Sequence, residues 1–206
     1  MLEDALAGYV RRERLIRVGI ALLAGILIIA LYWAGTFLGA ILLAVIIALF
    51  FRIQFFTTSA HTVLETEKPP TTVEAEFTGS QSPVLAVQWG LATEIIQVES
   101  GKTRYEFSPR FRRGRTQMLV TTSSKQATDT GGDCTLTVTT GDTGWATIDV
   151  IWEASPTGTR VAVDITSERK FSLAYASQGI SAHLQYASLL AAQGYQVDNR
   201  SVDIGF

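Results

Sequence analysis

Cysteine occurs once in this chain, at Cys134, and histidine twice, at His61 and His183. A single thiol excludes an intramolecular disulfide and removes the usual staple of an extracellular domain of this size, which fits a reducing compartment. Two isolated histidines, with no Cys-x-x-Cys or His-x-x-x-His spacing, provide no metal-ligand set. Phosphate-cradling loops are missing as well. Gly131-Gly132 and Gly141-x-x-Gly144 lie between extended segments, with no helix after them and no Lys-Ser/Thr pair. No cofactor or metal is therefore expected, and nothing in the chain marks it as an enzyme. The most consequential absence is of charge, for no ionisable side chain other than Tyr32 occurs from Val18 to Phe51.

As one helix that run of about 34 residues would be roughly 51 Å long, far more than the ~30 Å of a bilayer's hydrocarbon core. Two arms of about 16 residues fit better. The corner falls at Tyr32-Trp33-Ala34-Gly35-Thr36, where Tyr and Trp suit the membrane interface and Gly permits a reversal. Arg11, Arg12, Arg14 and Arg17 flank the start of the run and Arg52 its end, while the corner carries no Lys or Arg. The positive-inside rule then puts both ends, and everything after them, in the cytoplasm. Arg11-Arg12 ahead of an apolar run also suggests twin-arginine export. Arg14 two residues on, the length of the run and the lack of a small-x-small cleavage site argue against it. Ala21/Gly25, Ala30/Ala34, Gly35/Gly39 and Ala40/Ala44/Ala48 place small residues at helical spacing. They suit packing of the two arms, or homo-oligomer formation through Gly35-x-x-x-Gly39.

Residues 1–17 form a basic lead-in with Leu2, Leu6, Tyr9 and Val10 along one helical side. Residues 18–56 are the hairpin. Residues 57–71, rich in Thr, Ser, Glu and Lys and ending at Pro69-Pro70, are expected to be a tether, with His61 in it.

Residues 72–206 are expected to form one α+β domain. From Thr57 onward twelve basic residues face sixteen acidic ones, a net of −4 that argues against nucleic acid as a partner. Alternation predicts strands at Thr72–Thr78 (Val73, Ala75, Phe77), Thr103–Phe107, Thr116–Ser124, Cys134–Thr140, Trp145–Glu153 and Thr159–Ser167. Gly131-Gly132-Asp133, Gly141 to Gly144 and Ser155 to Gly158 supply the turns of an antiparallel meander with one covered and one wet face. The cover is a helix over Phe171–Gln193, with Leu173, Ala176, Ile180, Leu184, Ala187 and Ala191 as its stripe and Gly194 ending it. An extended tail with a bulge near Arg200 follows.

This pattern of first strand, meander and long late helix resembles the helix-grip arrangement of the START/SRPBCC superfamily, over most of residues 72–194. The resemblance implies a curved antiparallel sheet wrapped around the C-terminal helix, and an apolar cavity for lipids, hormones or polyketides. A minority of members are enzymes. Two features depart from it: Gly79 to Thr93 is short for the helix pair that follows the first strand in that superfamily, and the chain continues past the helix.

Of the candidate chemical groups, His183 lies beside the helix stripe and Cys134 reads as a small hydrophobe. The unusual local feature is Arg110-Phe111-Arg112-Arg113-Gly114-Arg115, after Pro109 at a hairpin tip. Near a cytoplasmic leaflet each arginine contributes about 1 kcal/mol of attraction to anionic lipid. The sequence thus supports a membrane-anchored cytoplasmic binding or interaction module with an apolar small-molecule ligand. A structural subunit of a membrane assembly, and a cyclase- or hydrolase-type enzyme on the same fold, remain as alternatives.

Overall fold

A computed structural model describes residues 2–54, 56–108, 116–172 and 175–205. Two apolar helices open the chain, α1 (Leu2–Trp33) and α2 (Phe37–Arg52). Their junction is a Schellman closure. Gly35 sits at φ +76°, its N–H donates to the Tyr32 carbonyl, and the Thr36 N–H reaches back to Leu31 at 3.2 Å. A left-handed backbone is needed at that point, so the glycine read as a corner is one. Leu22, Leu23, Ile26, Leu38 and Leu42 are all exposed, and no residue in the most apolar stretch of α1 is buried. The first helix is long and apolar enough to cross a membrane, and the second is apolar but shorter. The close backbone approach expected at Gly25 is not used, because a Cβ there would meet nothing within 4 Å.

The remaining elements are β1 (Thr57–Thr66), α3 (Pro70–Thr78), a 3-10 turn (Pro83–Leu85), α4 (Ala86–Leu91), β2 (Glu94–Glu99), β3 (Lys102–Phe107), β4 (Thr116–Thr128), β5 (Gly131–Thr140), β6 (Thr143–Ser155), β7 (Gly158–Ser167), α5 (Ala176–Ala191) and β8 (Gln196–Gly205). Among the described residues the eight strands form one antiparallel sheet, ordered β2-β3-β4-β5-β6-β7-β1-β8. The α+β class and the meander are as expected.

Two expectations near the domain's start are corrected. The supposed tether is strand β1, between β7 and β8 near one edge of the sheet. Its inward residues are Thr62, Leu64 and Thr66, all buried, so polar threonines concealed a period-2 pattern. The supposed strand at 72–78 is helix α3, with Pro70 in its first turn, a position where the missing N–H costs nothing. Val73 and Phe77 are four apart and share one helical face, and both are fully buried. With β1 moved earlier, the helix pair after the first strand is present as α3 and α4.

The core lies on one face of the sheet. Tyr105, Val120, Leu136, Val138, Ile148, Val150, Trp152, Val161 and Val163 point inward from β3 to β7. Helix α3 packs across β4 to β7, and Phe77 meets Tyr195 edge-on, ring centroids 5.6 Å apart. Helix α5 differs from its expected stripe, because Ile180 and Leu184 are exposed while Ser181, Gln185, Leu189 and Leu190 are buried. The stripe is rotated by about one residue, some 100°, and takes in two polar side chains. Gly194 ends the helix as expected, with the Tyr195 N–H donating to the Leu190 carbonyl. The expected bulge is real but falls at Asp198, which the register skips between Val197 and Asn199.

Candidate functional site

Arg11, Arg12, Arg14 and Arg17 lie on the first half of α1, with Arg17 bridged to Glu13 one turn away. Arg52 closes α2, where a cation complements the helix dipole. The candidate membrane-surface residues Arg110, Phe111, Arg112, Arg113 and Arg115 lie outside the described residues. Their flanks are described, for Phe107 and Thr116 are the last paired residues of β3 and β4. Register locates that end of the sheet. Thr57 pairs with Gly205, Ser59 with Thr166, Ala146 with Ser167, Thr140 with Thr143 and Phe107 with Thr116. The start of β1, the end of β3 and the start of β4 therefore belong to one end of the sheet.

The candidate reactive groups are quiet. Cys134 is buried, and loss of solvation, with Asp133 and Asp149 nearby, pushes its thiol up to about 12. His183 is exposed. His61 sits on β1 rather than in a tether, its Nδ1 2.6 Å from Asp164 Oδ1 on the wet face. Among the described residues no three His, Cys, Asp or Glu converge in a way that would hold a metal.

Two polar nodes were not legible beforehand. The first joins the end of β1, α3 and the turn after α5. Lys68 Nζ donates to both Glu76 oxygens and to the Gln193 carbonyl, each at 2.7 Å, and stands 4.5 Å from the Tyr195 ring centroid. The Tyr195 hydroxyl donates to Glu76 Oε2 at 2.5 Å, and burial together with that carboxylate drives the phenol pKa well up. This node borders an open cleft of about 410 Å³, with Ser80, Trp89 and Gln193 also on its wall. All three donors of Lys68 are engaged, so the node latches three elements together and has no free donor for a ligand.

The second node lies on the core side of the sheet. Thr62 on β1 pairs with Arg200 on β8, and the Arg200 guanidinium stacks on the Tyr186 ring of α5, its Cζ 3.7 Å from the centroid. The Tyr186 phenol pKa is raised by burial, with the Arg200 charge and the Thr62 hydroxyl pulling the other way. Loss of solvation lowers the Arg200 pKa. No carboxylate lies within salt-bridge distance of Arg200 among the described residues, and its Nε is buried without a partner. Three strands away on the same face, in the row of Leu64 and Val197, the buried Trp152 has an indole N–H with no acceptor. A signal for this node existed in the alternation of Thr58, Ala60, Thr62, Leu64 and Thr66, but its polarity made it look like linker.

In element order the domain matches the helix-grip pattern: first strand, helix pair, meander, long C-terminal helix. The arrangement resembles the START/SRPBCC helix grip. Strand β8, paired with β1, is an addition to that pattern. Neither a protein-family model nor a curated protein matches the sequence. Solved structures similar to it include a START superfamily protein from Mycobacterium smegmatis, at 10% identity and TM-score 0.41, covering 67% of this chain and 97% of that one. A conserved protein from Geobacillus kaustophilus has 7% identity and TM-score 0.43, over 66% and 93% of the two chains. A protein from Chromobacterium violaceum has 11% identity and TM-score 0.42, over 66% and 97%.

Proposed function

We propose that the chain is a membrane-anchored binding module, with α1 and α2 crossing the bilayer as a hairpin and the sheet domain held at the cytoplasmic surface to bind a lipid-like apolar ligand. The observation that carries this reading is the wide exposure of large apolar side chains along both helices, Leu38 at 80% among them, ahead of a START-like sheet. Water does not tolerate so large an apolar surface, and a bilayer does. The apolar part of each arm is roughly 24 Å long, slightly short of the hydrocarbon core, which thinning and snorkelling arginines accommodate. Five arginines at the two ends and none at the corner favour the cytoplasmic side for the domain.

Sheet topology supports the same reading from the other direction. Thr57 follows Arg52 by about five residues, a reach of at most roughly 17 Å. The end of the sheet that begins there also holds Phe107 and Thr116, the described residues on either side of the sequence segment that carries Arg110, Arg112, Arg113 and Arg115. Anionic lipid is thus the partner proposed for that arginine cluster. The test is native mass spectrometry of the full chain released from its own membrane in mild detergent. A discrete adduct of one lipid mass class is the expected result, and a bare chain with only detergent adducts would contradict it.

A further inference from the structure

We infer that the core-side face along β8 binds the head group and the first part of the tail of a single-chain carboxylate amphiphile, with Arg200 as the anion receptor. This rests on the reading of the domain as a binding module and names the chemistry of its ligand. The receptor lies on the strand that the chain adds to the START-like pattern. Arg200 is only partly exposed, stacks on Tyr186 and lacks a carboxylate partner among the described residues. A desolvated guanidinium without an anion is costly, whereas a carboxylate accepts two parallel N–H bonds from it. Thr62, fully buried and paired with Arg200 across the two strands, adds a hydroxyl to the site. One cation matches one negative charge, so a carboxylate fits better than a dianionic phosphate.

From Arg200 the same face of β8 runs on to Val202 and Ile204, which are 40% and 58% exposed. Residues two apart on a strand share a face, so the three side chains form a line of roughly 13 Å, a cation at one end and apolar surface toward the other. Ala60 and Thr58, their partners on β1, keep that line free of charge. The line ends at Gly205, opposite Thr57, at the sheet end that follows the apolar helices in the chain. A head group on Arg200 with its tail toward that end fits this order of charge and apolar surface.

The test uses the full chain in nanodiscs of zwitterionic lipid and two photoreactive probes, a diazirine-bearing hexadecanoate and the matching hexadecanol. After irradiation and digestion, the carboxylate probe is expected to label peptides from β8 at least about tenfold more than the alcohol, the scale of one charge-assisted hydrogen-bond pair. Arg200→Gln should reduce that label about tenfold and Arg200→Lys less, while Arg160→Gln, on the opposite face, should leave it unchanged. Equal labelling by the two probes in the natural sequence overturns the inference without recourse to any variant. So does undiminished labelling in Arg200→Gln. A lipid adduct on the native protein together with equal labelling by the two probes would reject the carboxylate receptor alone and leave the binding module standing. Absence of both would reject the two together.

Discussion

Gly158, after the turn that joins β6 to β7, sits at φ +145°, and a Cβ added there would stand 2.1 Å from the Thr66 carbonyl oxygen and 2.7 Å from Glu67 Cα. Both obstacles are backbone, so neither can swing aside. Gly158→Ala is expected to destabilise the domain by about 2 kcal/mol or more, measured by denaturant unfolding followed through tryptophan fluorescence. A change below about 0.5 kcal/mol would mean the turn is not built this way. Cys134 yields a second expectation at this scale. Its thiol, pushed up to about 12, holds almost no thiolate near neutrality, so maleimide should leave the folded chain unmodified at pH 7–8 and react only after unfolding. The residue was legible as a small hydrophobe because it opens an alternating strand and has no cation beside it in sequence. Arg200 was not, since its stack on Tyr186 joins side chains from two elements that no sequence window contains.

At the scale of elements, the latch formed by Lys68, Glu76 and Tyr195 fixes the end of β1, α3 and the start of β8 against one another. Lys68 and Glu76 are partly exposed and Tyr195 is buried, so Glu76→Gln should cost about 1 kcal/mol and Tyr195→Phe about as much. In a double-mutant cycle the two losses should fall short of additive, since each change breaks the same Tyr195 to Glu76 bond. Strict additivity would show that the bond contributes nothing. What the sequence disclosed about elements followed its periodicity. Strands β4 to β7 carry clean apolar alternation bounded by Gly and Pro, and were found. Strand β1 puts threonines inward and was read as tether, and α3 has Val73, Ala75 and Phe77, which satisfy a period of two as well as Val73 and Phe77 satisfy a spacing of four. Only the structure decides between those two, because the deciding quantity is what packs opposite. In α5 the stripe was misplaced because Ser181 and Gln185 occupy the buried side while Ile180 and Leu184 are left outside.

At the scale of the whole molecule, Tyr105, Tyr186 and Tyr195 all have phenol pKa values raised by burial, Tyr105 to about 12. An unfolded phenol titrates near 10. Above that pH the unfolded chain has lost protons that the folded chain keeps, so stability is fully present below about pH 10 and falls as pH rises toward 12. Thermal unfolding at pH 9 and pH 11 should show this drop, and an unchanged midpoint would count against three buried phenols. The proposed attraction of the domain to anionic lipid also belongs to this scale. A fluorophore on a cysteine substituted for Asp142, at the β5–β6 turn on the same sheet end, should be quenched by lipid-borne quencher more strongly in phosphatidylserine nanodiscs than in phosphatidylcholine ones. Replacing Arg110, Arg112, Arg113 and Arg115 with Gln should abolish that difference at low salt. Quenching that ignores lipid charge would remove the docking role of the arginines.

The proposed function requires the sheet domain on the cytoplasmic side of a membrane, and Gly35 reports the side. In the natural background Cys134 is silent, so a cysteine at Gly35 becomes the one reactive thiol of the folded chain, and the Schellman turn there faces open space. A membrane-impermeant maleimide added to intact cells should label Gly35→Cys from outside, while a cysteine at Asp142 stays protected until the cells are opened. Labelling of Asp142→Cys in intact cells, with Gly35→Cys reachable only from within, would reverse the orientation and contradict the account.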